Sequence, residues 1–292
     1  MKSKNVKKKI KQMIKKLFKK TSTNDIKKAK KLLKLNNGNK FIGELPVMNN
    51  SRIVFNGKNN ILVCEKNVKL NDSVIKFECN NSLVYLSSNA RNNYYLKIDI
   101  RNNSMLYIGK NCYFNGEMKM IFSEGKNIVI GDNCLFSHSI FIRLADPHLI
   151  YDISTHKRIN FSESVYIGDH VWIGQDVLLL KGTKIGSGTV VGANSICSRK
   201  ILYSNSVYAG NKLSLIKENI FWNDKCVHRW IEKDTDKYMY DYSTEYIFSK
   251  NNIDYYTFFE KKIDSLKSAY DKYKFVKKEM GTYNKNRFSI FK

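Results

Sequence analysis

The chain has 292 residues, with 51 Lys and Arg against 26 Asp and Glu, a net charge of +25. A hydrophobic fraction of 42% is enough for a packed core, and with no run of about 20 apolar residues no helix is expected to cross a membrane unaided. The length fits one large domain with appendages, and the N-terminus lacks the apolar stretch and small-residue cleavage site of a secretory leader.

The first predicted element is a basic arm over residues 1–44. Met1–Lys40 holds 16 lysines and a single acid, Asp25. In "KNVKKKIKQMIKKLFKK", Val6, Ile10, Met13, Ile14, Leu17 and Phe18 fall on one helical stripe. The pattern is that of an interfacial helix, so residues 1–20 are expected to associate with an anionic membrane. Interleaved aromatics and any nucleic-acid motif are missing from the arm, and a nucleic-acid partner is not expected.

Residues 45–215 are predicted to form a parallel β-helix. Ile167-Gly168, Ile173-Gly174, Ile185-Gly186 and Val191-Gly192 fall six or twelve residues apart, with Leu179 and Cys197 completing the series. Four residues after each aliphatic comes a small or β-branched residue: Val171, Val177, Thr183, Thr189, Ser195. A period of six fits a solenoid of short strands, three per coil. One aliphatic per strand points inward, and the glycines are expected where the chain bends. Upstream, "NNIL", "NSLV" and "NSML" begin at Asn59, Asn81 and Asn103, 22 residues apart, which suggests coils with longer corners. Cys112, Cys134 and Cys197 are expected inside as small hydrophobes. The six cysteines form no CxxC pair or Cys/His cluster. They read as free thiols of a reducing cytoplasm, and no metal is expected.

"IRLADPHLIYDISTHKRINFSE", Ile142–Glu163, interrupts the hexads, and residues 143–163 are predicted to be an active-site loop. His148 follows Pro147 and has acids nearby, Asp146 and Asp152. A histidine, with an ordinary pKa of about 6.5, suits removal of a proton from a hydroxyl, and either acid is a candidate to orient it. Trp172 follows the inward Val171, so it points out of the coil, toward a substrate cleft or a neighbouring subunit. No nucleophile elbow is present, so direct attack by an acceptor hydroxyl is expected rather than a covalent enzyme intermediate. Residues 216–292 hold no hexads. "FFEKKIDSLKSAYDKYKFVKKEM" shows helical spacing, and this tail is expected to cap the open end of the solenoid.

These repeats resemble the hexapeptide-repeat acyltransferases, which form left-handed parallel β-helices. Asp146-x-His148-x-Ile150-x-Asp152, then Lys157–Asn160, then Gly168–Gly174 is similar to the sugar O-acetyltransferase branch, in particular bacterial sialic acid and polysialic acid O-acetyltransferases acting on surface glycans. The resemblance covers about Phe136–Trp222. It implies a homotrimer with shared sites, acetyl-CoA as co-substrate and a glycan acceptor. His148, Trp172 and Asp146 are the implied catalytic group, with Arg143, Asp152, His156 and Arg158 around the acceptor. For the cofactor it implies Gly174, Gly192 and Ala193 beside the pantetheine arm and Lys200, Lys212 and Lys217 near its phosphates. The family's Pro and a Lys in the last motif are replaced here by Lys212 and Ser214. Transfer to an amino sugar and a non-enzymatic β-helix binding protein are the alternatives to an O-acetyltransferase.

Overall fold

The computed structural model describes residues 18–19, 32–251, 253–282 and 284–292. Its body is a three-faced parallel solenoid. Face one carries Arg52–Phe55, Val74–Phe77, Leu96–Ile100, Met118–Ile121, Ile140–Arg143, Leu178–Leu180 and Ile196–Cys197. Face two runs from Lys40–Gly43 through Ile61–Cys64, Leu83–Leu86, Met105–Ile108, Asn127–Ile130, Val165–Ile167 and Lys184–Ile185 to Ile201–Leu202. Face three, in the later coils, carries Tyr113–Phe114, Leu135–Phe136, Trp172–Ile173, Val190–Val191 and Val207–Ala209. On face two, Leu83 pairs with Met105 and Met105 with Asn127, a step of 22 residues. The step is 37 where the excursion is inserted, Ile128 to Val165, and 18 afterwards, Tyr166 to Lys184.

The hexads behave as their period dictates. Ile167, Ile173, Leu179, Ile185, Val191 and Cys197 line the interior, as do Val171, Val177, Thr183, Thr189 and Ser195. The inward hydroxyls are satisfied by backbone: Thr183 Oγ1 donates to the Leu180 carbonyl at 2.8 Å, and Thr189 Oγ1 to that of Tyr203 at 2.8 Å.

The glycines need a correction. Left-handed backbone does occur every six residues, but at His170, Asp176, Gly182, Gly188 and Asn194. Gly168 and Gly174 are instead required by close approach of the next coil. A Cβ on Gly174 would lie 2.6 Å from the Ala193 nitrogen, and one on Gly168 would lie 2.7 Å from the Ser187 nitrogen. In the longer coils asparagine takes the left-handed corner at Asn59, Asn81 and Asn103, which is the origin of the 22-residue echo.

The coils of face two start at Lys40, before residue 45. The helix expected over the basic arm lies outside the described residues, apart from Phe18–Lys19, which is extended and pairs with Ile53–Val54. Leu32–Lys34 likewise pairs antiparallel with Lys40–Gly43. Both short strands use an otherwise open strand edge.

The helices of the tail lie on the flank of the solenoid, while its last residues meet the final coil, where Ser204 N donates to the Ile290 carbonyl at 2.8 Å. Helices α1 (Glu232–Lys237), α2 (Tyr255–Ser265) and α3 (Ala269–Glu279) follow the last coil. Tyr256, Phe259, Ile263, Val276 and Phe288 pack on the outer side of face two, against Leu83, Tyr85, Met105, Tyr107, Val129 and Tyr166. Those outward positions are apolar, so the strands are buried on both sides and draw the amphipathic helices to the flank. Strand Ser214–Lys217 covers the last edge of face three, antiparallel to Val207–Ala209. No described helix is long and apolar enough to cross a membrane.

Candidate active site

The excursion leaves the solenoid after Arg143, at the corner between faces one and two, and folds as a hairpin. Tyr151 and Arg158 form an antiparallel bridge, and Ile159 N donates to the Ile150 carbonyl at 3.0 Å. Asp152 builds its tip. One carboxylate oxygen accepts from Ser154 N and Oγ at 3.1 and 2.6 Å and from Thr155 N and Oγ1 at 2.8 and 2.9 Å. Those donors, Ser154 first, hold its pKa down at about 2.

Three ion pairs clamp the hairpin to the coils above and below. Arg158 makes a two-pronged contact with Glu124, 2.6 and 2.9 Å, and Glu124 also accepts from the Ser162 hydroxyl at 2.5 Å. Arg158 and Ser162 hold Glu124 at about 2, and Glu124 raises Arg158 above its ordinary value. Asp146 pairs with Lys181, which lowers the Asp146 pKa, and Arg199 pairs with Glu163.

His148 lies at the root of this hairpin, exposed, with its backbone fixed. Asn160 Nδ2 donates to the His148 carbonyl at 2.6 Å, and Asn160 Oδ1 accepts from Ile150 N at 3.0 Å. The Asn160 side chain is thus a positioning element that sequence reasoning placed in the motif without a role; its signal is the twelve-residue spacing that closes the hairpin. Lys181 and Glu124 were also missed, because the coil repeat alone brings them to the corner.

Neither acid orients the His148 ring. Asp146 is committed to Lys181 and Asp152 to the hairpin tip, and no hydrogen bond to the His148 ring forms among the described residues. Arg158 is likewise engaged by Glu124. Arg143 is half-buried at the end of its face-one strand, and His156 is exposed with left-handed backbone in the hairpin turn.

Trp172 points outward as expected and is 39% exposed. It stands on face three, the side of the prism opposite the corner that carries His148, so one chain does not bring the two together. Its ring lies 5.8 Å from that of Trp222. His138, also exposed, lies at the corner that follows face three, with Nε2 2.9 Å from Asn115 Nδ2. Gly174, Gly192 and Ala193 stack at that same corner. Lys200 is exposed at the hairpin's corner, and Lys212 and Lys217 lie at the exposed end of the solenoid. The expected cofactor residues therefore fall into three places on one chain.

His170, at the corner between faces two and three, is buried between Trp222 and Tyr246, ring centroids 3.8 and 3.5 Å away and nearly parallel. Its Nε2 donates to the Trp222 carbonyl at 2.9 Å, and Trp222 Nε1 donates to the His170 carbonyl at 3.1 Å. Burial lowers its pKa to about 4. On the same corner Arg287 from the tail reaches Asp169 at 2.8 Å and Asp132 at 3.1 Å. Burial weakens the guanidinium charge, but the two carboxylates outweigh it and raise the Arg287 pKa.

Residues 164–199 match the bacterial transferase hexapeptide family, six repeats. No curated protein matches the chain in sequence. Among solved structures, the polySia-specific acetyltransferase NeuO is similar at 29% identity and a TM-score of 0.59, over 69% of this chain and 93% of that one. The polysialic acid O-acetyltransferase OatWY is similar at 27% identity and a TM-score of 0.56, over 69% of this chain and 95% of that one. The fold is the left-handed parallel β-helix that the resemblance implies.

Proposed function

We propose that this hexapeptide-repeat acyltransferase moves an acetyl group from acetyl-CoA to a hydroxyl of an anionic bacterial surface glycan, with sialic acid or its polymer as the acceptor class. The observation that carries the reading is the exposed His148, fixed by Asn160 at the root of a clamped hairpin, in a fold similar to two polysialic acid acetyltransferases.

His148 takes the proton of the acceptor hydroxyl as its oxygen attacks the thioester carbonyl carbon. The carbon–sulfur bond then breaks, and the coenzyme A thiolate leaves and recovers the proton from the imidazolium. The hairpin clamps hold the His148 backbone in place, and Arg143 and His156 are the groups left to meet a carboxylated acceptor. Asp146 acts through Lys181 on the hairpin root rather than on the ring.

In this reading three copies form a closed ring and each site lies between two of them. What supports a shared site is that the His148 corner and the Trp172 face lie apart on one prism, so a neighbouring chain is needed to bring them together. The sharing also brings Gly174, Gly192 and Ala193 of one chain toward Lys200 of its neighbour, a groove for coenzyme A. Work at the inner face of the cytoplasmic membrane, with residues 1–20 as a basic foot, completes the proposal.

The test is acetyl-CoA turnover on sialosides, neutral glycosides and amino sugars. Sialosides are expected to lead the panel, and His148→Ala is expected to lower turnover about 100-fold or more with unchanged melting. Unchanged turnover in that variant removes the base, and preference for an amino sugar replaces the acceptor.

A further inference from the structure

The tail throws out a second loop, residues 223–245. Both of its feet stand on His170: Trp222 stacks on one face of the ring and Tyr246 on the other. Its legs are tied by Asn223 Nδ2 donating to Asp241 at 2.8 Å, and Trp230 stacks on Tyr238 at 4.9 Å. These contacts and the ion pair of Asp224 with Arg91 of the solenoid hold the loop, yet it presents Val227, Ile231, Met239, Tyr240 and Tyr242 to solvent, Tyr242 at 88%. About a third of the chain lies outside the part shared with the solved acetyltransferases, 69% being covered.

The hairpin presents a second apolar surface. Leu149, Ile150, Tyr151, Ile153, Ile159 and Phe161 are all exposed, Ile153 at 92%. Apolar surface gathered to this degree marks a contact rather than a free surface. The two patches lie at different corners of the prism, the hairpin between faces one and two and the feet of the loop between faces two and three, so one chain offers each to a different neighbour, as a head-to-tail contact repeated around a ring needs. Charge points the same way. In a chain of net charge +25, residues 223–245 carry four Lys and Arg against six Asp and Glu. The hairpin's corner offers exposed Lys157 and Lys200. Trp222 also places the loop's foot beside Trp172.

We propose that loop 223–245 of one chain docks on the His148 hairpin of a second copy of this chain and closes the acceptor side of the site. The inference rests on the shared-site reading above. Its occupant is a second copy, because both apolar patches and the complementary charges belong to this one chain.

The test uses full-length protein, with Ile231→Glu/Met239→Glu on the loop and Ile153→Glu on the hairpin, all at exposed positions. Sedimentation velocity over a concentration series reads assembly, and turnover is measured on the same samples. The parent is expected to form one closed oligomer, and each variant to weaken it about tenfold or more with a parallel loss of turnover. As a second measurement, a bis-maleimide is expected to join exposed Cys226 of one chain to Ile153→Cys of another, and to fail when Cys226→Ser is added. A monomeric parent, or variants that assemble and turn over like the parent, overturn the proposal. So do variants that change only the KM for glycan with assembly intact, which would make the loop a carbohydrate platform. If the parent transfers no acetyl group while the variants still lose assembly, the functional reading fails and the docking stands.

Discussion

His170 is kept neutral by the rings on either side of it. Its ordinary pKa is about 6.5, and burial takes it to about 4 in the folded chain. Below about 6.5 the unfolded chain therefore accepts a proton that the folded chain refuses. Stability falls as pH drops through the window from 6.5 to 4 and levels off beneath it, by on the order of 3 kcal/mol. Thermal melts at stepped pH are expected to show this slope, and His170→Phe, which keeps a ring in the stack, is expected to flatten it. Equal slopes in both proteins would assign the acid loss to other groups. At this scale the placement of His148 on an exposed excursion was legible, because the break in the hexads marks it directly. Its surroundings were not. The carboxylate nearest in sequence, Asp146, belongs to Lys181, 35 residues on, and Arg158 belongs to Glu124, 34 residues back. Such partners are set by the coil step, which changes from 22 to 18 around the excursion.

The tail is joined to the solenoid by a buried ion network as well as by apolar packing. Arg287 is 2% exposed between Asp132 and Asp169, and Asp132 and Asp169 also accept from the backbone of the preceding coil, at Lys110 N and Asp132 N, 2.7 Å each. Removing the guanidinium leaves two carboxylates inside without a counter-charge. Arg287→Ala is therefore expected to cost about 3–5 kcal/mol, measured from the denaturant midpoint; a cost below about 1 kcal/mol would mean that the helices are held by packing alone. The late coils were readable because their inward residues recur every six positions. The flank-packed helices were not, since Leu83, Tyr85, Met105 and Tyr107 read equally well as strands buried in the core. Hydrophobic periodicity reports that a strand is covered on both sides, but not by which later element. The left-handed corners were misread for a related reason: glycine serves close approach at Gly174, while His170, Asp176 and Asn194 take the strained backbone.

At the scale of the whole molecule, charge and symmetry decide the account. Sixteen lysines crowd Met1–Lys40, and each lysine near an anionic bilayer contributes about 1 kcal/mol. The full chain is expected to co-sediment with vesicles containing phosphatidylglycerol at low salt, and a chain lacking residues 1–40 is not; equal binding ends the idea of a basic foot. The shared site is tested most directly by complementation. His148→Ala and Trp172→Ala chains are each expected to be nearly inactive alone. Co-expressed in equal amounts, they should recover about a quarter of parental turnover, the chance that a site drawn at random between two neighbours receives an intact His148 from one and an intact Trp172 from the other. A mixture as inactive as its two components would contradict a site built from both sides of the prism.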